Sequence, residues 1–148
     1  MTAVTRAAHC LQQEPARISP CVLWLPAAPS SVKAARTAAQ RFLDAAGYVD
    51  AEGVVVLIVS ELATNAVRAA GVGHSIRLDL SLIVPGRIRI SCWDPKPAAP
   101  DAVPAAPDEL AESGRGLFLI GQLAACWGVL TKQPGKVVWA EVDVLALL

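Results

Sequence analysis

The stretch VVVLIVSELATNAVRAAG, residues 54–71, decides the fold, because its beginning and its end point to different structures. Taken alone, VVVLIV favours a strand: β-branched residues dominate, and a short apolar run carries no period of its own. Length arbitrates. The pattern continues through SELATNAVRAA with no breaker before Gly71, so the stretch reads as one long, largely buried helix. On a helix of about 3.6 residues per turn, Glu61 and Asn65 stand one above the other. Val54, Ile58, Leu62 and Ala69 share that face, which sets the acid and the amide in the middle of an apolar stripe. A polar pair placed there needs a partner.

Working outward, Asp50 is positioned to cap this helix. Before it, CVLWL (21–25) reads as a short strand ended by Pro26. Pro29, Ser30 and Ser31 then start a helix whose apolar stripe, Val32, Ala35, Ala39, Phe42, Leu43 and Ala46, stops at Gly47. After GVGHS the period changes to two. Ile76, Leu78, Leu80 and Leu82 alternate with Arg77, Asp79 and Ser81, Pro85–Gly86 turns the chain, and Ile88, Ile90 and Cys92 alternate with Arg87, Arg89 and Ser91. That is a hairpin with one buried face, ending at Trp93 and Asp94. Trp93 and Trp139 read as core or sheet residues.

DPKPAAPDAVPAAP, 94–107, is too rich in proline for a helix or a central strand and reads as a long loop, of the kind that is usually functional or disordered. Gly114 and Gly116 then open an apolar helix through Leu117, Ile120, Leu123, Ala124 and Trp127, and GVLTKQPGKVVWAEVDV closes as a second hairpin turning at Pro134 and Gly135. The expected fold is a two-layer α+β sandwich: a mixed, mostly antiparallel sheet covered on one face by three helices. Residues 1–20 read as a flexible tail and 21–148 as one domain, with a loop at about 95–113.

Composition narrows the function classes. The 148 residues favour a single domain with a real core. Apolar content is 54% and mean hydropathy +0.46, yet no run approaches the roughly 18 consecutive apolar residues of a spanning helix, so no membrane is expected. Thirteen basic and thirteen acidic residues cancel, which removes the electrostatic footprint of direct nucleic-acid binding. Cys10, Cys21, Cys92 and Cys126 are scattered without zinc-ligand spacing and read as free thiols, and His9 and His74 as solvated loop residues. MTAVTRAAHCLQQEPARISP lacks the apolar core of a signal peptide, from which a cytoplasmic location is expected.

Three polar constellations stand out: Glu61 with Asn65, Asp94 at a strand end, and Gly114-Arg115-Gly116 at a helix start. A GxG at a helix start lets backbone N–H groups approach an anion, which is a phosphate argument. Neither GxxxxGK[ST] nor GxGxxG occurs. In this order the three resemble the ATP site of the GHKL superfamily of histidine kinases, gyrase-like ATPases and related chaperones, with its histidine-kinase-like ATPase (Bergerat) fold. ELATNAVRAAG is similar to its N box, DPKP sits where the first glycine box begins, and SGRGLFLI resembles the second. Together with WGV and the ending GKVVWAEV, they resemble most the bacterial anti-sigma-factor serine/threonine kinases, over roughly residues 20–143.

The resemblance implies roles. Asn65 would be the Mg2+ ligand, Glu61 the general base, and Asp94 the acceptor of the adenine amine of ATP. Gly114 and Gly116 would let lid and helix approach the phosphates, and Arg115 would help neutralise the γ-phosphate. Pro95, Lys96 and Pro97 replace the glycine hinge of the usual DxGxG box. The implied function is an ATP-dependent serine/threonine protein kinase that phosphorylates an anti-anti-sigma partner. The competing one is a non-catalytic, ATP-gated binding module that sequesters a sigma factor or another regulator. Glu61 tilts the choice to the enzyme, because a phosphotransferase needs that base and a sequestering module does not. A detached histidine-kinase catalytic domain is disfavoured, because no phosphoacceptor helix fits within the first 20 residues. The family suggests a homodimer.

Overall fold

A computed structural model describes residues 18–97 and 112–147. Its main sheet has five strands in the order β1-β3-β4-β6-β5, namely β1 (Cys21–Pro26), β3 (Ser75–Val84), β4 (Arg87–Asp94), β6 (Gly135–Asp143) and β5 (Cys126–Lys132). Neighbours pair antiparallel throughout, the antiparallel limit of the expected sheet. Helices α1 (Ser30–Ala46), α2 (Val54–Ala70) and α3 (Glu112–Leu123) supply the second layer.

Alternation along the strands sorts the side chains. Ile76, Leu78, Leu80, Ile88, Ile90, Cys92, Val138, Ala140 and Val142 are buried in the core. Arg77, Asp79, Arg89, Ser91, Trp93 and Trp139 alternate with them and stand on the opposite face, away from the helices. The two tryptophans are therefore sheet residues. Trp93 stacks edge-on to Trp24 at 5.8 Å, and the Arg89 guanidinium lies 4.6 Å from the Trp139 ring.

The decisive stretch is a helix, as its length requires. Burial of Val55, Ile58, Val59, Leu62, Ala63, Ala66 and Ala70 overrides the strand preference of VVVLIV. Asp50 caps it from across the 3-10 turn Ala51–Gly53: its carboxylate accepts the Val55 N–H at 2.8 Å and the Val56 N–H at 3.1 Å. By length and a mean hydropathy of 1.5, Ala51–Ala70 has the dimensions of a membrane-spanning helix, but its apolar face packs inside this protein, against α1, α3 and the sheet. Gly47 ends α1 at φ 75°, a left-handed conformation that glycine adopts without steric cost.

Three details differ from expectation. First, α3 begins at Glu112, so the glycine pair lies inside its first two turns rather than before it. Second, α3 ends at Leu123, and Trp127 belongs to β5, where it pairs with Ala140. Third, a two-stranded ribbon not expected from the sequence joins β2 (Tyr48–Val49) to β7 (Leu145–Ala146), and the Gly86 N–H donates to the Tyr48 hydroxyl at 3.0 Å. Cys21, Cys92 and Cys126 are free. Cys10, His9, the expected tail up to residue 17 and residues 98–111 of the expected lid loop lie outside the described residues.

Candidate active site

Helices α2 and α3 run antiparallel. Leu123, at the end of α3, lines one cavity with Val54, at the start of α2, while Gly116 near the other end of α3 packs against Glu61 and Asn65. The fit is close. A Cβ at position 116 would stand 2.5 Å from Oε2 of Glu61 and 3.7 Å from Nδ2 of Asn65. Glycine is what allows α3 to approach the two polar side chains.

Glu61 and Asn65 are half-buried, on the flank of the apolar face of α2 rather than in its middle as expected. The reason is geometric: the buried set centres on Val55, Leu62 and Ala66, and the row through Ile58 and Asn65 forms its margin towards α3. Neither polar side chain has a hydrogen-bond partner among the described residues. The partner required by the sequence pattern is not supplied by the described residues, which leaves the amide and the carboxylate beside Gly116 available to a ligand.

Asp94 ends β4 in phase with Ile88, Ile90 and Cys92, and is only 2% exposed. Its Oδ1 accepts from Lys136 Nζ at 2.9 Å and from the Lys96 N–H at 2.9 Å. Burial pushes the neighbouring Cys92 thiol up to about 12, with the Asp94 charge adding to the effect. Gly114 lies in the first turn of α3, among the residues whose N–H groups have no acceptor within the helix. The side chain of Arg115 lies outside the described residues.

The sheet register relates the position of Asp94 to the direction of α2. Trp93 pairs with Arg77 near the start of β3, where α2 delivers the chain through Gly71 to His74, and Asp94 pairs with Lys136 at the start of β6. The Asp94 end of the sheet is thus the end towards which the second half of α2 runs. Sequence reasoning missed Lys136. The available signal was a lone charge in phase with the apolar Val138, Ala140 and Val142. A cavity of about 470 Å3 opens elsewhere, on the far face of the sheet between Trp24, Trp93 and Leu130, and none of the candidate residues lines it.

Among the described residues no three histidine, cysteine or acidic side chains cluster as a metal site. Asn65 offers an amide oxygen, a donor suited to a hard cation that keeps water and phosphate oxygens as its other ligands. The residues present fit Mg-ATP: an amide and a carboxylate without hydrogen-bond partners among the described residues, beside a glycine, and a buried carboxylate at the sheet end.

A helix-covered antiparallel sheet with this amide, carboxylate and glycine arrangement defines an ATPase domain of the histidine-kinase type. The family model of the histidine kinase-like ATPase domain matches residues 25–141, and the chain belongs to that family. It is 30% identical over 83 residues to SCO4941, an uncharacterized protein of Streptomyces coelicolor, a match covering 56% of this chain and 79% of that protein. The fold is similar to the crystal structure of the RsbU and RsbW domains of Rv1364c from Mycobacterium tuberculosis, with a TM-score of 0.66 at 17% identity. That match covers 86% of this chain and 33% of the other, so this chain spans about a third of that protein's length.

Proposed function

We propose that this domain is an ATP-dependent serine/threonine protein kinase of the anti-sigma-factor type, acting on an anti-anti-sigma partner. The observation that carries the reading is the half-buried Glu61 and Asn65 pair against Gly116, without partners among the described residues. Membership of the histidine kinase-like ATPase family and an RsbW-containing fold neighbour support it.

The residues divide the work. Asn65 holds the magnesium ion through its amide oxygen. Asp94 accepts a hydrogen bond from the exocyclic amine of adenine, which guanine lacks at that position. The N–H groups of the first turn of α3 face the phosphates, where the positive end of the helix dipole favours anions. Arg115 neutralises part of the γ-phosphate charge. Mg-ATP, when bound, supplies an activated phosphoryl group. Glu61 takes the proton of the attacking serine or threonine hydroxyl onto its carboxylate, as a general base must from within hydrogen-bond reach. The reading places the protein in the cytoplasm, where ATP is available and thiols such as Cys21, Cys92 and Cys126 stay reduced.

The replacement of the glycine hinge by Pro95-Lys96-Pro97 favours a second reading, in which the domain binds ATP and sequesters a sigma factor without turnover. Incubation with Mg-ATP and the anti-anti-sigma-like proteins of the same organism, followed by mass spectrometry, separates the two. The kinase reading expects phosphoserine or phosphothreonine on one partner. A stable, nucleotide-dependent complex with a sigma factor and no phosphorylated partner would establish the second.

A further inference from the structure

The buried faces of β4 and β6 carry one charge each, and the two meet. Asp94 and Lys136 are register partners at the ends of their strands, each in phase with apolar neighbours. The ammonium donates to Asp94 Oδ1 at 2.9 Å and to the Lys96 carbonyl oxygen at 3.3 Å, and the Lys96 N–H donates to that same Oδ1. One carboxylate oxygen is thereby doubly held. Among the described residues Oδ2 has no hydrogen-bond partner.

The backbone is shaped for this pairing. A Cβ at Gly135 would overlap the Asp94 carbonyl oxygen and stand 2.7 Å from the Pro95 Cα. Only glycine lets the β5–β6 turn close on the end of β4, and that closure places Lys136 within reach of Asp94. A carboxylate buried to this degree is costly unless a charged partner compensates it.

We infer that Lys136 is the positioning residue for base recognition, anchoring Asp94 through Oδ1 so that Oδ2 is left as the acceptor for the adenine amine. The inference rests on the reading of Asp94 as the adenine acceptor. An ionised carboxylate only accepts hydrogen bonds, so it suits an amine and opposes the carbonyl oxygen that guanine presents. The lysine fixes which oxygen is available by its hydrogen bond. It therefore sets selectivity as well as affinity.

Calorimetric affinities of the full chain for Mg-ATP and Mg-GTP test this, with Lys136→Met, Lys136→Arg, Asp94→Asn and the double variant Asp94→Asn/Lys136→Met. Residues that orient a ligating carboxylate are typically worth about 10- to 100-fold, as their counterparts at metal sites show. Lys136→Met should weaken ATP by that order and GTP by less, so that the ratio of the two affinities falls. Lys136→Arg should recover most of the ratio. The double variant should bind like Asp94→Asn alone, because the lysine acts through the carboxylate. Thermal unfolding identifies a variant that no longer folds; should Lys136→Met be one, Lys136→Arg and the double variant, in which no charge is left unpaired, decide the matter. Parental affinities and ratio in Lys136→Met, beside a loss of ratio in Asp94→Asn, would overturn the role of Lys136 and leave Asp94 as the reader. Additive losses in the double variant would overturn it too, by showing an independent contact. An Asp94→Asn variant that discriminates as the parent does, or a parent that does not bind ATP, would remove the reading beneath the inference.

Discussion

Gly116 and Glu61 are in a contact that leaves no room for a side chain, since a Cβ on the glycine would lie 2.5 Å from the carboxylate oxygen Oε2. Two helices that could have packed through bulky apolar residues instead meet, at this point, through a glycine and an acid. Gly116→Ala should thus displace the Glu61 carboxylate, the movable party in the contact. Misplacing a reacting group by about 1 Å can cost on the order of 10²-fold in rate. Stability should hold, because alanine is a better helix former than glycine by about 1 kcal/mol. Phosphotransfer and thermal unfolding measured on the same preparation check this; parental activity in Gly116→Ala would show that the close contact is packing alone.

Asn65→Ala removes the proposed magnesium ligand and leaves the apolar face of α2 untouched. Magnesium-dependent ATP binding should weaken by more than about tenfold, or ~1.4 kcal/mol. Titrations with and without magnesium supply the measurement. Equal losses in both would point to a contact with the nucleotide rather than the metal.

Asp50 satisfies two N–H groups at the start of α2, and a capping aspartate replaced by alanine costs about 1 kcal/mol. Urea unfolding of Asp50→Ala should show a lower midpoint at an unchanged slope. An unchanged midpoint would mean that the turn Ala51–Gly53 holds the helix end without the carboxylate.

On the open face of the sheet, the Arg89 guanidinium hydrogen-bonded to Glu141 holds that carboxyl below the ordinary glutamate value, with the Cys126 thiol donating as well. Between the lowered folded value and the ordinary one of 4.5, the unfolded chain binds the extra proton, so stability rises with pH across that window. The contribution is fully present above about pH 4.5 and is lost as pH falls through the folded value. Arg89→Met should be less stable than the parent at neutral pH, having also lost the stack on Trp139, and should lose less on acidification. Melting points at intervals from about pH 3 to 7 test the difference. Parallel curves for the two proteins would contradict it.

Legibility in the sequence tracked the strength of periodic signals. The β3–β4 hairpin was plain because Ile76, Leu78 and Leu80, then Ile88, Ile90 and Cys92, alternate without exception. VVVLIV was resolved only by its unbroken continuation into SELATNAVRAA, since its β-branched residues favour the wrong state and tertiary burial decides. The ends of α3 were misplaced for opposite reasons. Glycine is a poor helix former, so Gly114 looked like a boundary although Glu112 and Ser113 are already helical, and Trp127 fits a helical spacing yet is claimed by its pairing with β6. Strands as short as Tyr48–Val49 and Leu145–Ala146 carry no period to read. At the site, the i, i+4 spacing identified Glu61 and Asn65, but their position on the flank of α2 depends on where α3 packs. The Asp94–Lys136 pair is separated by 42 positions in the chain and becomes visible only through the register of β4 with β6.

Glu61→Gln puts the kinase reading to its most direct test, because it preserves shape and hydrogen-bonding capacity while removing the ability to take a proton. Mg-ATP affinity should match that of the parent. Phosphoryl transfer to the anti-anti-sigma partner, followed in single turnover, should fall by about 10²–10⁴-fold, the usual contribution of a positioned general base. Transfer at the parental rate with unchanged nucleotide affinity would contradict a catalytic role for Glu61 and make the ATP-gated binding module the better description of this protein.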